Sequence, residues 1–195
     1  MSYQDNWKKG LAGHEAIRSL HESLRDEIKH RWNRSVPFAD ELFDRWERAV
    51  YLGFGRGATI YDSSIVLGNV DVGEDTWVGP FTILDGSGGL KIGHDCSISA
   101  GAQIYTHSTV MRALTAGAAA TARAAVTIGD CTYVGPNAIV TAGVTVGSQC
   151  VVGANSLVNR DVPPLRVVYG NPARVVGRVE VQDDTVRLVY DEDLK

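Results

Sequence analysis

Aliphatic side chains recur every sixth position along most of the chain. They are Ile60, Val66, Val72, Val78 and Leu84, then Ile92, Ile98 and Ile104, then Ile128, Val134, Val140, Val146, Val152 and Val158. A helix with 3.6 residues per turn would point successive members in three directions, so the pattern is not helical. A single strand carrying it would be many times longer than ordinary strands. The pattern therefore predicts a solenoid in which each hexad forms one flat side, and three sides complete a coil.

Small side chains occupy a second position in the same period. Four residues after the aliphatic stand Ser64, Thr76, Thr82, Cys96, Ala102, Thr132, Ala138, Cys150 and Ser156. We interpret them as residues that fit tight corners, while the aliphatics point inward and stack between coils. Burying each inward Val or Ile stabilises the fold by roughly 1.5–3 kcal/mol. Because Cys96, Cys131 and Cys150 lie in or beside these small-residue positions, we predict that all three are core residues.

A solenoid needs a cap at each end, because an open end exposes unpaired strands and apolar interior. Apolar residues at helical spacing predict one helix over residues 14–33 and a second helix after Pro37. The apolar faces are Ile17, Leu20, Leu24 and Ile28 in the first, and Phe38, Leu42, Trp46 and Val50 in the second. Alternation over 178–190 predicts a terminal hairpin that turns at Asp183-Asp184. The expected organisation is a helical cap at 1–54, a solenoid at 55–164 and a C-terminal extension at 165–195.

Composition narrows the classes of function. The formal net charge is −4, which gives no indication of nucleic-acid binding. Three cysteines without metal-ligand spacing fit a reducing compartment. The first ten residues have no apolar stretch of signal-peptide length, and no run approaches a membrane span. These features predict a cytoplasmic protein without a membrane span.

The repeat is interrupted after "IYTH", and the interruption is the first candidate for chemistry. Ser108–Thr127 is rich in alanine and glycine and separates two hexads of one stack. Loops of this length are usually functional or disordered. His107 stands at the base of the loop, where a neutral imidazole can accept a proton from a hydroxyl or an amine at cytoplasmic pH.

Several longer segments resemble the hexapeptide-repeat acyltransferases, whose fold is a left-handed parallel β-helix. They are "ILDGSGGLKIGHDCSISAGAQIYTH", "VTIGDCTYVGPNAIVTAGVTVGSQCVVGANSLVNRDVPP" and "YGNPARVVG". The similarity spans about residues 55–177 and is greatest to the maltose, galactoside and surface-polysaccharide O-acetyltransferases. It implies a homotrimer with sites between subunits, in which an acetyl group passes directly from acetyl-CoA to a hydroxyl of a sugar or sugar nucleotide.

The resemblance also implies roles for individual residues. His107 is the expected general base, and Asp85 is expected to contact the acceptor sugar. The acetyl-CoA residues implied are Tyr133, where relatives have tryptophan, and Gly135, Ala154, Asn159, Arg160 and Arg174. Two arginines suit a phosphorylated nucleotide in an otherwise acidic protein. No metal is implied, and no GxSxG motif or cysteine close to His107 in sequence offers a nucleophile.

Three other functions remain as alternatives. An N-acetyltransferase acting on an amino sugar would use the same base. A zinc enzyme of the solenoid carbonic anhydrase type needs three histidines from neighbouring coils, and the coil region has only His94 and His107. A catalytically silent scaffold would keep the solenoid without binding acetyl-CoA.

Overall fold

The computed structural model describes residues 13–183 and 185–191. Contacts divide the chain into two compact units, Met1–Asp44 and Arg45–Lys195. The second unit is a parallel β-solenoid, so the predicted left-handed β-helix of hexapeptide repeats is confirmed. None of the described helices combines the length and apolar character that crossing a membrane requires.

The first unit is helical. Helix α1 (His14–Trp32) begins after Gly13 and ends at Asn33, which adopts a left-handed conformation. Helix α2 (Phe38–Leu42) follows Pro37. The expected second helix is not continuous, because Phe43 is extended (φ −107°, ψ 133°). Helix α3 (Arg45–Tyr51) starts afresh in the second unit after Asp44, a residue type favoured at helix starts.

The solenoid consists mostly of two-residue strands separated by corners. They are β1 (Thr59–Ile60), β2 (Ile65–Val72), β3 (Trp77–Val78), β4 (Ile83–Ile92), β5 (Ser97–Ile98), β6 (Gln103–Ile104), β7 (His107–Ser108), β8 (Ala122–Arg123), β9 (Val126–Ile128), β10 (Tyr133–Val134), β11 (Ile139–Val140), β12 (Thr145–Val146), β13 (Val151–Val152), β14 (Leu157–Val158) and β15 (Arg166–Gly170). Between β7 and β9 the chain also forms helix α4 (Val110–Leu114).

Parallel pairing arranges these strands, apart from β7 and β8, on three faces. The first face is β1-β3-β5-β10-β13-β15. The second consists of the beginnings of β2 and β4 followed by β6, β11 and β14. The third consists of the ends of β2 and β4 followed by β9 and β12. We call the turn from the first face to the second corner A, the turn from the second to the third corner B, and the turn from the third back to the first corner C.

The six-residue series forms the core between the faces. Every member of it is buried except Val66, which is half-buried, and every small residue predicted for the corners is buried. At corners A and C the residue before the small one has a positive φ, except at Ser63. These residues are Asp75, Phe81, Asp95, Gly101, Cys131, Asn137, Gln149 and Asn155. Asp, Asn and Gly tolerate this left-handed conformation best, which explains five of the eight.

The C-terminal hairpin is confirmed. Strand β15 pairs antiparallel with β16 (Ala173–Gln182), and β16 pairs antiparallel with β17 (Thr185–Tyr190). Asp183 has the positive φ of a tight turn (51°). Asp184, the second residue of the predicted turn, lies outside the described residues.

Candidate functional site

Corner B departs from the regular coil next to Asp85. Strands β2 and β4 pair in register from Ile65↔Ile83 to Gly68↔Gly86, then resume at Val70↔Leu90. Between the two registers β4 has two more residues than β2, and the extra length forms a bulge at Ser87-Gly88-Gly89. A Cβ on Gly88 would lie 2.5 Å from the carbonyl oxygen of Thr106, so only glycine fits this approach.

The bulge surrounds the Asp85 carboxylate with hydrogen-bond donors. The side chain of Asp85 is fully buried. Its Oδ1 accepts from the Ser87 hydroxyl at 2.5 Å and from the Ser87 amide at 3.0 Å. Its Oδ2 accepts from the Thr106 amide at 2.8 Å and lies 2.6 Å from Nδ1 of His107. The Thr106 hydroxyl completes the cluster by donating to the Asp85 carbonyl at 2.7 Å.

This cluster fixes the tautomer of His107. Burial alone would raise the pKa of Asp85, but hydrogen bonds from Ser87, Thr106 and His107 together hold it well below its usual value. An ionised carboxylate can only accept, so Nδ1 of His107 carries the hydrogen that joins them. The unprotonated Nε2 of the neutral ring is then left as a proton acceptor. The His107 side chain is 31% exposed, which leaves the ring open to a substrate.

The predicted contact between Asp85 and an acceptor finds no support in this geometry. A carboxylate with no exposed surface cannot reach a ligand, and all of its contacts are internal. Asp85 instead orients His107. Sequence reasoning also missed Ser87 and Thr106; the available signal was the eight-residue step from Leu84 to Ile92, where the repeat elsewhere takes six.

The loop above His107 is ordered by short elements and carries positive charge. It leaves the coil after Ile104 and rejoins it at the buried Val126, two residues earlier than predicted. Strands β7 and β8 pair antiparallel and place Arg123 directly opposite His107. Residues 105–127 contain two arginines and no Asp or Glu. Among the described residues, the Arg123 side chain has no ion-pair partner, so corner B offers a cation beside the candidate base.

Of the residues predicted for the nucleotide end of acetyl-CoA, Asn159 and Arg160 lie at corner B, and Arg174 lies on strand β16. Asn159, Arg160 and Arg174 are exposed and line one cavity of about 160 Å³. Asn159 stands two coils beyond Tyr105, at the end of the second face. The Tyr105 amide donates to the Val140 carbonyl, and the amide of Thr141, which follows Val140, donates to the Val158 carbonyl, just before Asn159. At the usual strand spacing this is roughly 10 Å along the solenoid from His107.

The other predicted acetyl-CoA residues lie at corner A. Tyr133 is exposed at the outer surface of the first face, just before the corner. A Cβ on Gly135 would lie 2.7 Å from the Ala154 amide nitrogen, so glycine is required where these two coils approach. A single chain therefore brings Asn159 and Arg160 to the same corner as His107, and Arg174 lines their cavity. It does not bring Tyr133, Gly135 and Ala154 there.

The geometry also bears on the zinc alternative. His107 belongs to corner B, whereas His94 follows the third face at corner C. The two histidines considered for a carbonic anhydrase site therefore do not share a corner within one chain.

Comparisons with known proteins agree with this fold. Residues 125–160 match the family described as bacterial transferase hexapeptide (six repeats). The acetyltransferase VCA0836 from Vibrio cholerae O1 biovar eltor, a hexapeptide-repeat protein solved with acetyl coenzyme A, is 29% identical over 93% of this chain and 100% of that chain, with a TM-score of 0.63.

Two solved structures with lower sequence identity are similar in fold alone. Galactoside acetyltransferase in complex with coenzyme A is 21% identical, covers 87% of this chain and 84% of that chain, and has a TM-score of 0.62. AntD, an N-acyltransferase from Bacillus cereus, is 20% identical over 64% of this chain and 71% of that chain, with a TM-score of 0.59. The chain therefore contains hexapeptide repeats, and its sequence and fold resemble those of the hexapeptide-repeat acyltransferases.

Proposed function

We propose that the protein is a cytoplasmic, homotrimeric, acetyl-CoA-dependent O-acetyltransferase that acts on a hydroxyl of a sugar or sugar nucleotide, with His107 as general base. The observation that carries the proposal is the 2.6 Å contact between Nδ1 of His107 and the buried carboxylate of Asp85. It leaves Nε2 as a proton acceptor at the base of a loop that interrupts the solenoid.

The chemistry is a direct transfer. The acceptor oxygen attacks the thioester carbonyl while Nε2 of His107 takes its proton. The C–S bond then breaks, and the imidazolium returns the proton to the departing thiolate of CoA. The ionised carboxylate of Asp85 stabilises the positive charge that the ring carries between the two steps. No residue of the protein needs to be acylated.

The donor is proposed from similarity and from charge. VCA0836 was solved with acetyl coenzyme A. Arg160, at the corner that holds His107, lines one cavity with Arg174 of strand β16, and Asp161 is the one acidic residue of that lining. Guanidinium groups are suited to phosphate oxygens because they offer several donors in a fixed plane. We expect the phosphates of CoA to bind there and the thioester to reach His107.

Self-association is proposed because the acetyl-CoA residues lie at two corners. A groove between two copies would bring corner A of one chain to corner B of its neighbour. The outward positions of the second face support such a contact, because they are mostly aliphatic: Ile65, Ile83, Gln103, Ile139 and Leu157. The corresponding positions of the third face are Asp71, Lys91, Thr127 and Thr145, all exposed to solvent.

The donor is tested by calorimetric titration of acetyl-CoA into the purified protein. Saturable binding of about one acetyl-CoA per chain is expected. Absence of binding at millimolar ligand would favour the catalytically silent scaffold. Thiol release from acetyl-CoA with pairs of sugars that differ only in a hydroxyl or an amino group then distinguishes O-transfer from N-transfer.

The base is tested by His107→Ala. Turnover should fall on the order of 10²–10⁴-fold, because a positioned general base contributes that much, while the affinity for acetyl-CoA stays nearly unchanged. His30→Ala is the matched control, since His30 is an exposed residue of helix α1. An undiminished rate for His107→Ala would remove His107 from the mechanism.

A further inference from the structure

Corner C carries a cluster of side chains that the proposed reaction does not use. His94 and Asp95 come from one coil, and Asp130 and Cys131 come from the coil stacked on it. Two hydrogen bonds join the two coils here. The Cys131 amide donates to the His94 carbonyl at 2.9 Å, and the His94 amide donates to Oδ1 of the Asp130 side chain at 3.1 Å. A Cβ on Gly93 would lie 2.1 Å from that Oδ1, so glycine permits the approach.

Three different kinds of metal ligand converge in this cluster. One ring nitrogen of His94, a carboxylate oxygen of Asp95 and the Sγ atom of Cys131 all lie within 4.8 Å of one another. Ligands around a tetrahedral zinc ion are separated by about 3.3–3.6 Å, given metal–ligand bonds of about 2.0–2.3 Å. All three residues are exposed, so small side-chain rotations can supply the remaining contraction.

The second nitrogen of His94 faces a second carboxylate. Nδ1 lies 2.7 Å from Oδ2 of Asp95, and Nε2 lies 3.4 Å from Oδ2 of Asp130 on the other side of the ring. Metal-ligating histidines usually donate their other N–H to a carboxylate, which fixes the tautomer and the ring orientation. Asp130 is placed to do this while Nδ1 faces Asp95.

Packing in the core does not account for Cys131. It occupies a left-handed position of corner C (φ 55°), where the other coils carry Asp75, Asp95, Gln149 and Leu165. Unlike Cys96 and Cys150, which are buried as predicted, Cys131 is exposed, so the prediction that it is a core residue is wrong. The thiol of Cys131 is therefore available to a ligand at the surface of corner C.

We propose that His94, Asp95 and Cys131 bind a divalent transition-metal ion of the zinc class, with Asp130 orienting the imidazole and the fourth position open to water. Nitrogen, sulfur and oxygen donors together favour zinc over magnesium or calcium, which take oxygen ligands. Because the ligands come from two successive coils, the ion would tie these coils together at corner C. The site is separate from His107 at corner B and does not depend on the proposed reaction.

The test is titration of chelator-treated full-length protein with Zn²⁺ and, separately, with Co²⁺ as a spectroscopic probe. One ion per chain is expected, and the cobalt protein should show the near-ultraviolet charge-transfer band of a thiolate ligand. Cys131→Ser should abolish the band, and His94→Ala should abolish stoichiometric binding. Asp130→Asn should weaken binding about 10–100-fold and keep the band, as expected for a residue that acts through the histidine.

His30→Ala is the matched control and should bind like the wild type. Circular dichroism of each variant establishes that the solenoid is folded, which the exposed positions of the ligands favour. Absence of stoichiometric binding by the wild type would overturn the proposal. Binding that survives Cys131→Ser and His94→Ala unchanged would overturn it as well, because the ion would then lie elsewhere. A fully active enzyme that binds no metal would leave the proposed acetyltransferase function intact.

Discussion

At the scale of single residues, the candidate site depends on the charge of one buried carboxylate. Asp85 accepts hydrogen bonds on both oxygens, and each of them stabilises the ionised form. A buried ion without such donors would be costly, whereas this one is compensated and holds His107 in a single tautomer. The stability of the fold and the proposed catalysis therefore depend on the same carboxylate.

Asp85→Asn should impair both properties. The amide nitrogen of asparagine cannot accept from Ser87 or Thr106, and the amide carries no charge to stabilise the imidazolium. We expect turnover to fall on the order of 10²–10⁴-fold, as for loss of the base itself. Steady-state rates compared with Asp71→Asn, an exposed carboxylate on the third face, measure the effect. Equal rates for the two variants would mean that Asp85 does not orient the base.

The lowered pKa of Asp85 also determines how the free energy of unfolding should depend on pH. The pKa of Asp85 is lowered on folding, so its contribution is fully present above the unfolded pKa of about 3.9. It is lost as the pH falls from there through the folded pKa. Urea unfolding should show wild type more stable than Asp85→Asn at pH 7, with the gap narrowing below about pH 4. A gap that stays constant down to pH 3 would contradict this assignment.

At the scale of the elements, each coil depends on corner residues that tolerate a positive φ. Five of the eight positive-φ residues that precede a small residue at corners A and C are Asp, Asn or Gly, and the exceptions are Phe81, Cys131 and Gln149. Left-handed backbone costs other L-residues roughly 1–2 kcal/mol. Part of this strain should be removable by glycine without any change in the fold.

Gln149→Gly should therefore stabilise the protein. Relief of the strain exceeds the extra chain entropy that glycine loses on folding, so we expect a gain of about 0.5–1 kcal/mol in the free energy of unfolding. Gln149→Ala is the matched control, because it removes the same side chain and keeps the strained backbone (φ 56°). Chemical denaturation of both variants measures the difference. Glycine no more stable than alanine would show that this corner is not strained.

The elements also show what the sequence could and could not predict. The six-residue period alone identifies the coils, because an inward side chain such as that of Ile98 must stack on the aliphatic side chains of the coils above and below. It misses the break at Phe43, where helical spacing continues across an extended residue. It also misses the hydrogen bonds of Asp85 with Thr106 and His107 and the exposure of Cys131, because both depend on contacts between residues more than twenty positions apart. The bulge that positions Asp85 is visible in the sequence only as two extra residues.

At the scale of the whole molecule, the three corners differ in chemistry although they share one repeat. Corner B holds His107 and the arginine-lined cavity, corner A holds Tyr133 and the close approach at Gly135, and corner C holds the cluster around His94. The residues at one corner can differ from those at another because the stacked aliphatic side chains inside the solenoid stabilise the fold. The proposed reaction requires corners A and B to meet, which one chain cannot achieve.

Ile139→Lys should therefore abolish both assembly and turnover. Ile139 lies at an outward position of the second face, in the middle of the aliphatic row, and a charge there would remain desolvated in a packed interface. Light scattering should give three times the chain mass of 21.0 kDa for wild type and a single chain mass for the variant. Thr145→Lys, at an exposed outward position of the third face, is the control and should stay trimeric and active. A wild-type protein that is monomeric and active would contradict the shared groove, and a trimeric Ile139→Lys would place the interface on another face.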